Sequence, residues 1–264
     1  MPKILILDIE TSPILAHVWQ IWDQNVALSQ IIEDWHLLSW SAKWLGKAPY
    51  AKSDKEVTFM KVDVKNGKVT NEKKALKQIW GLLDNADIIL TQNGIRFDNR
   101  KLNAKFIEYG MKPPSSFRHL DTKVIFKKHF DLPSYKLEYL TNKFNKKYKK
   151  LKHKEFPGHE MWVECLNGNR RAWEAMEKYN KYDVLALEEL WHVVSAWDTS
   201  INFAWYSNEI EDTCSCGSWK RLPPQRPCWW GMGTEWRWRR PASLCPISQT
   251  VSAVPRPCPL RIYC

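Results

Sequence analysis

Hydrophobic positions along the chain change period several times, and each change marks an element. Lys3-Ile4-Leu5-Ile6-Leu7 places four large aliphatic residues in a row before Asp8-Ile9-Glu10-Thr11. A continuous apolar run of this length predicts a strand buried on both faces. From His36 to Leu45, Trp, Leu and Ser partly alternate, which predicts a second strand. Val57 to Val62 predicts a third, followed by the Asn66-Gly67 turn signal. Helical spacing then takes over: Ala75, Leu76, Ile79, Leu82 and Leu83 form one apolar face behind Thr70 or Asn71 as the cap. Asp87 to Thr91 predicts a short buried strand. It leads through Asn93-Gly94 into a helix from about Phe97 to Tyr109, stopped by Gly110. Helices are predicted over 122–129 and 135–144, on either side of Pro133, and over 170–197 beyond Pro157-Gly158. Alternation of strands and helices after an early meander predicts an α/β architecture, a mixed β-sheet flanked by helices. No internal repeat occurs.

Four acids stand out against this pattern. Asp8 and Glu10 are two apart on the first strand, so both side chains share a face at its carboxyl end. Like charges side by side repel unless a cation lies between them, and hard oxygen ligands of this kind suit Mg²⁺ or Mn²⁺. A solvated turn after the strand would also accommodate them. Asp98 opens a helix whose stripe continues at Leu102, Phe106 and Tyr109. It fits either a metal ligand or an acid facing the helix macrodipole. Asp183 lies within the stripe Met176, Tyr179, Leu187, Leu190 and Val194. A carboxylate there is expensive unless it ligates a metal or pairs with a lysine. Tyr179, one turn earlier, shares its face. A parallel or mixed sheet can gather a strand end, a helix start and a later helix at one edge. Four such carboxylates could hold two ions for phosphodiester hydrolysis.

Charge sharpens the choice of partner. The 264 residues carry a formal net charge of +11, which favours a polyanion. Lys143 to Lys154 holds seven Lys in twelve residues, with Phe144 and Tyr148 interleaved. Such a run is either a phosphate-contacting surface or a solvated loop. No apolar run approaches the roughly 20 residues of a membrane span, and the acids at Asp8 and Glu10 do not read as part of a secretory signal. Only Cys165 occurs in the first 213 residues. This points to a reducing compartment such as the cytoplasm.

Asp-Ile-Glu-Thr at 8–11, Asn-Gly-x-x-Phe-Asp at 93–98 and Tyr-x-x-x-Asp at 179–183 resemble, in order, the three exonuclease motifs of the DEDD superfamily. The tyrosine resembles the DEDDy branch, which includes the proofreading domains of family B DNA polymerases; His192 follows Asp183 and does not fit the histidine branch. The resemblance implies a ribonuclease H-like fold and two-metal 3′–5′ hydrolysis of DNA or RNA, with single-stranded DNA 3′ ends as the expected partner. It implies that Asp8, Glu10, Asp98 and Asp183 are metal ligands and that Tyr179 orients or helps deprotonate the attacking water. Thr11, Asn93 and Phe97 match positions lining the 3′-terminal nucleotide. With no polymerase domain following, the chain resembles a stand-alone phage or bacterial nuclease. The alternatives are an endonuclease or RNA-trimming relative, and a non-catalytic nucleic-acid-binding module.

The last 44 residues differ in composition, holding 7 of 12 Arg, 8 of 15 Pro and a single acid, Glu235. Cys214-Ser215-Cys216-Gly217 resembles the first knuckle of a zinc ribbon, but no second close pair follows to complete four Zn²⁺ ligands. We therefore expect an exonuclease domain over 1–205 and an irregular tail over 206–264, read as a ribbon truncated by a shifted reading frame after about Trp219. The alternative is a real metal-binding or nucleic-acid-binding tail. A C-x-x-C pair in another frame of the coding DNA would support the frame-shift reading, and finding none would sink it.

Overall fold

A computed structural model of the chain describes residues 2–46, 56–151, 155–201, 228–232 and 235–239. Lys3–Val194 forms one compact unit. In chain order it contains β1 (Ile4–Thr11), β2 (Leu15–Ala16), β3 (Ile31–Glu33), β4 (Leu37–Trp44), β5 (Thr58–Lys61), β6 (Val64–Lys65) and β7 (Lys68–Val69). There follow α1 (Glu72–Asp84), β8 (Ile88–Thr91), α2 (Asp98–Glu108), β9 (Arg118–Asp121), α3 (Thr122–His129), α4 (Leu137–Phe144), α5 (Glu160–Leu166) and α6 (Arg170–Val194).

The five-stranded sheet has the order β5-β4-β1-β8-β9. β5, β4 and β1 are antiparallel neighbours, the early meander expected from the sequence. β8 and β9 join β1 in parallel, each separated by a crossover helix. The sheet is therefore mixed and its centre is β1. Leu5, Leu7 and Ile9 are buried in one cluster with Leu76, Ile79 and Leu83 of α1 and Leu102 and Phe106 of α2. Each such side chain contributes roughly 1.5–3 kcal/mol by leaving water. Strand alternation places Ile4, Ile6, Asp8 and Glu10 on the opposite face of β1. Opposite Asp8 and Glu10, β4 offers Ser41 and Ser39, two small side chains that leave room for carboxylates.

The Asn66-Gly67 turn joins β6 to β7, with both residues at positive φ (51° and 74°) as a tight hairpin turn requires. The expected cap of α1 differs. Asn71 does sit at the N-cap, but at φ 57° and without a side-chain bond to the helix. Its amide instead donates to Asp63 Oδ2 at 3.0 Å. The long last helix stops at Val194, and Ser195–Trp197 is a 3₁₀ turn. Three features carried no clear pattern in the sequence: the β2–β3 hairpin, β9 and α5.

The second unit comprises Met1–Pro2 and Ser195–Cys264. Within it, β10 (Cys228–Met232) and β11 (Glu235–Arg239) pair antiparallel. Cys214, Cys216 and the expected boundary at 205/206 lie outside the described residues. Among the described residues, no helix is long and apolar enough to cross a membrane.

Candidate active site

β1 delivers Asp8 and Glu10, and the middle of α6 delivers Asp183. One carboxylate oxygen from each lies within 4.8 Å of the other two. Asp8 and Glu10 are half-buried and Asp183 is almost wholly buried. α6 is held against this end of β1 by the fully buried Asn180, whose amide donates to Asp8 Oδ2 at 2.5 Å. Trp162 of α5 donates its indole N–H to Glu10 Oε2 at 2.9 Å. It also packs edge-on against Tyr179, with ring centroids 6.1 Å apart. Tyr179 thus lies beside the acids, as its four-residue spacing from Asp183 requires.

Asp98, the first residue of α2, is buried and reaches back to β1. Its Oδ1 accepts the Ile9 backbone N–H at 3.1 Å. This bond ties the fourth acid to the residue between the first two, but with one oxygen turned to backbone. The loop before it is shaped by Asn93, at φ 70°, and by Gly94. A Cβ on Gly94 would stand 2.2 Å from Thr91 Oγ1, so the close approach requires glycine. Asp121 fixes the loop from below. Its carboxylate accepts the N–H groups of Asn93 (2.8 Å), Ile95 (3.2 Å) and Lys123 (3.0 Å).

Lys150 enters from the basic run. Its ammonium pairs with Asp183 Oδ2 and lies 4.3 Å from the Tyr179 ring centroid. The loop carrying it is clamped by Glu189, a buried acid on α6 whose carboxylate accepts the N–H groups of Lys146, Lys147 and Tyr148. Within the Lys run one lysine therefore pairs with an acid of the site, and the backbone before it is anchored by Glu189. One of the two sequence readings of Asp183, pairing with a lysine, is seen here. It has its lysine partner, yet its buried Oδ1 has no hydrogen-bond partner.

Electrostatics reflect crowding. Burial, followed by the Asp183 and Glu10 charges, pushes Asp8 well above the ordinary carboxylate range. Burial and then Asp183 push Glu10 up to about 8, against the lowering influence of Trp162 and Lys150. Burial pushes Asp98 up to about 7, opposed by hydrogen bonds from its own and the Ile9 N–H. Asp183 is raised by burial and partly restored by Lys150. For Lys150, burial favours the neutral amine, but Asp183, Tyr179 and Asp8 outweigh it and hold the proton on. One internal ammonium therefore faces a carboxylate cluster that it does not fully neutralise. An all-oxygen donor set with an orphaned buried oxygen fits a hard divalent cation.

Beside the acids opens a cleft of about 300 Å³, lined by Asp8 and Asp183 together with Asn93, Lys123, Lys136 and Lys150. Glu10, Asp98, Thr11 and Phe97 are not among its lining residues. Thr11 ends β1, where the register with β4 shifts. Phe97 is partly exposed, with the Lys101 ammonium 5.8 Å from its ring centroid. Sequence reasoning missed Lys150, Asn180, Trp162, Asp121 and Glu189. Three of them carried a local signal: Lys150 lies in the basic run, Asp121 directly precedes the helix predicted from 122, and Asn180 lies three residues before Asp183 on the same helical face.

No curated protein matches the chain. Among solved structures it is similar to the family B DNA polymerase of the hyperthermophilic archaeon Pyrobaculum calidifontis, at 12% identity and a TM-score of 0.51. That match covers 74% of this chain and 25% of the polymerase, so the chain spans about a quarter of the length of that protein. A likeness at this identity concerns the fold. A family model described as RNase_H superfamily matches residues 48–195, which include Asp98, Tyr179 and Asp183 and exclude β1 with Asp8 and Glu10. The matched stretch exceeds half of the chain, and the strand it omits is the centre of the same sheet: the chain belongs to the RNase_H superfamily.

Proposed function

We propose that this protein is a metal-dependent 3′–5′ exonuclease of the DEDDy type, acting on single-stranded DNA ends. One observation carries the reading: oxygens of Asp8, Glu10 and Asp183 converge within 4.8 Å beside a lysine-lined cleft, with Asp183 Oδ1 unpartnered. A binding module has no use for converging negative charge where phosphate must lie. Asp8, Glu10, Asp98 and Asp183 would hold two Mg²⁺ or Mn²⁺ ions. Bound there, the ions supply a more acidic water and charge stabilisation for the leaving oxygen. Water adds to phosphorus, the P–O3′ bond breaks, and the products are a nucleoside 5′-monophosphate and a strand one nucleotide shorter with a free 3′ hydroxyl.

The chain's own groups position these partners. Lys123 and Lys136 face the backbone phosphates, and Asn93, Thr11 and Phe97 adjoin the terminal nucleotide. Burial and the Asp183 charge raise the Tyr179 phenol above its ordinary range. A phenol that keeps its proton orients the attacking water by hydrogen bonding, which supports that role over proton removal.

The test is degradation of a 5′-labelled single-stranded oligonucleotide with Mg²⁺ or Mn²⁺, wild type beside Asp183→Asn. A ladder shortening from the 3′ end, reduced in the variant by more than the ~100-fold typical of groups behind metal ligands, is expected. Equal cleavage by both proteins would refute the site. The Lys150–Asp183 pair favours the rival binding-module reading, because it neutralises Asp183 without metal. Strand binding by both proteins with no cleavage at any Mg²⁺ or Mn²⁺ concentration would establish that rival.

A further inference from the structure

Residues 12–36 form an arm that the acid site does not use. It leaves the end of β1 and returns at β4. Its root is closed by two bonds: the Ser12 N–H donates to the His36 carbonyl and the His36 N–H to Ser12 Oγ, both at 2.8 Å. β2 pairs with β3 along it. Gln30 locks the hairpin, accepting the His17 N–H on its carbonyl (2.9 Å), donating its side-chain amide to the His17 carbonyl (2.9 Å) and accepting the Ala27 N–H on Oε1 (2.8 Å). Trp35 anchors the base beneath the ammonium groups of Lys101 and Lys105 on α2. The arm is thus a defined hairpin. Yet it leaves Trp19 93%, Leu28 88%, Ile21 86% and Trp22 80% exposed.

A soluble surface rarely leaves so large an apolar patch without a partner. The sign of its charge narrows the class. Residues 12–36 contain Asp23, Glu33 and Asp34 and no Lys or Arg. The arm therefore carries −3 within a chain of +11, and the remainder carries +14. Strand-binding surfaces combine stacking rings with a cationic track. Residues 12–36 supply rings but no Lys or Arg cation of their own, and of these rings Lys101 and Lys105 meet only Trp35 at the base, not the exposed Trp19 and Trp22. A basic protein surface complements it, and a second copy of this chain supplies one. We propose that the arm docks reciprocally on a second copy, forming a two-fold dimer in which each protomer's apolar, acidic arm lies on the basic body of the other. Area supports this. The four side chains expose on the order of 600 Å² per arm. Two arms exchanged with their receiving surfaces reach the roughly 800 Å² per partner of a stable interface. The inference does not depend on the hydrolytic site.

Sedimentation velocity of the full chain over roughly 1–100 µM tests it. Wild type is expected at twice the chain mass, and Trp19→Ser/Trp22→Ser at the chain mass with unchanged far-UV circular dichroism. Ile21→Asp, which touches neither indole, is expected to match the double variant. Binding of a labelled single-stranded oligonucleotide should differ by less than about threefold among the three proteins. Wild type at the chain mass throughout would overturn the proposal, as would variants that remain dimeric. A loss of oligonucleotide affinity of more than about tenfold in the double variant would overturn it too, and assign the arm to nucleic acid.

Discussion

Glu10 illustrates how the site's charge governs the protein without metal. Its ordinary value is 4.5, and burial with Asp183 nearby raises it to about 8. Between these values the folded chain keeps a proton that the unfolded chain has released. A raised carboxylate favours the fold fully below about pH 4.5, and that contribution is lost as pH rises through about 8. Asp98, raised to about 7, acts with the same sign. In chelator, the melting temperature of wild type should fall by several degrees between pH 6 and pH 9. Glu10→Gln mimics the protonated acid and keeps an acceptor for Trp162. It should flatten part of that fall, melt higher than wild type at pH 9 and lack nuclease activity. Adding Mg²⁺ at pH 8 should raise the wild-type melting temperature and leave the variant's less changed. Parallel profiles for the two proteins would show that Glu10 is not held in its acidic form.

The elements present the acids through contacts that differ in how visible they are along the chain. β1, β8 and α6 were legible because long apolar runs and stripes survive any tertiary context. Asp183 was legible as an acid on such a stripe. The β1–β4 register, which sets Ser39 and Ser41 opposite the acids, followed only from the folded sheet. Asp121 and Glu189 were not legible. Each is a buried carboxylate gathering backbone N–H groups, Asp121 from a loop about 28 residues away and Glu189 from one about 43 away. Glu189 has no local signal, and the one signal of Asp121, its place as N-cap of α3, does not announce the distant loop it holds. β9 and α5 were also obscured, because Arg118–Asp121 has one buried aliphatic residue and the seven residues of α5 are too few to establish a period. The Asn93–Asp98 loop tests this account. Gly94→Ala forces a Cβ into Thr91 and should cost about 1–3 kcal/mol in denaturant unfolding. Asp121→Asn sets an amide N–H₂ against backbone donors and should cost about 2 kcal/mol. Both should lower activity more than stability alone explains, measured below the melting transition, because the loop leads directly into Asp98. Full activity in Gly94→Ala would mean that the loop's conformation does not matter to the site.

For the whole molecule, the excess of positive charge should appear as salt dependence. Each phosphate neutralised on a single strand contributes about −0.7 to the slope of log affinity against log salt. Lys123, Lys136 and Lys150 line the cleft, but Lys150 is already committed to Asp183. With about three to five contacts, the slope is about −2 to −3.5, and raising salt from 50 to 200 mM weakens binding roughly 20- to 100-fold. The two kinds of lysine then separate by experiment. Lys136→Gln removes a charge free to meet phosphate, so its slope should become shallower by about 0.7, with cleavage of saturated enzyme little changed. Lys150→Met removes a charge held inside the carboxylate cluster. Its slope should stay within error of wild type, while turnover falls and the metal-free protein loses stability at pH 8 more than at pH 5, where Asp183 can take a proton instead. Anisotropy of a labelled oligonucleotide in chelator measures the slopes, and single-turnover cleavage with Mg²⁺ measures the rate. A shallower slope in Lys150→Met, with turnover intact, would make this lysine a phosphate contact and leave the acids without their internal counter-ion.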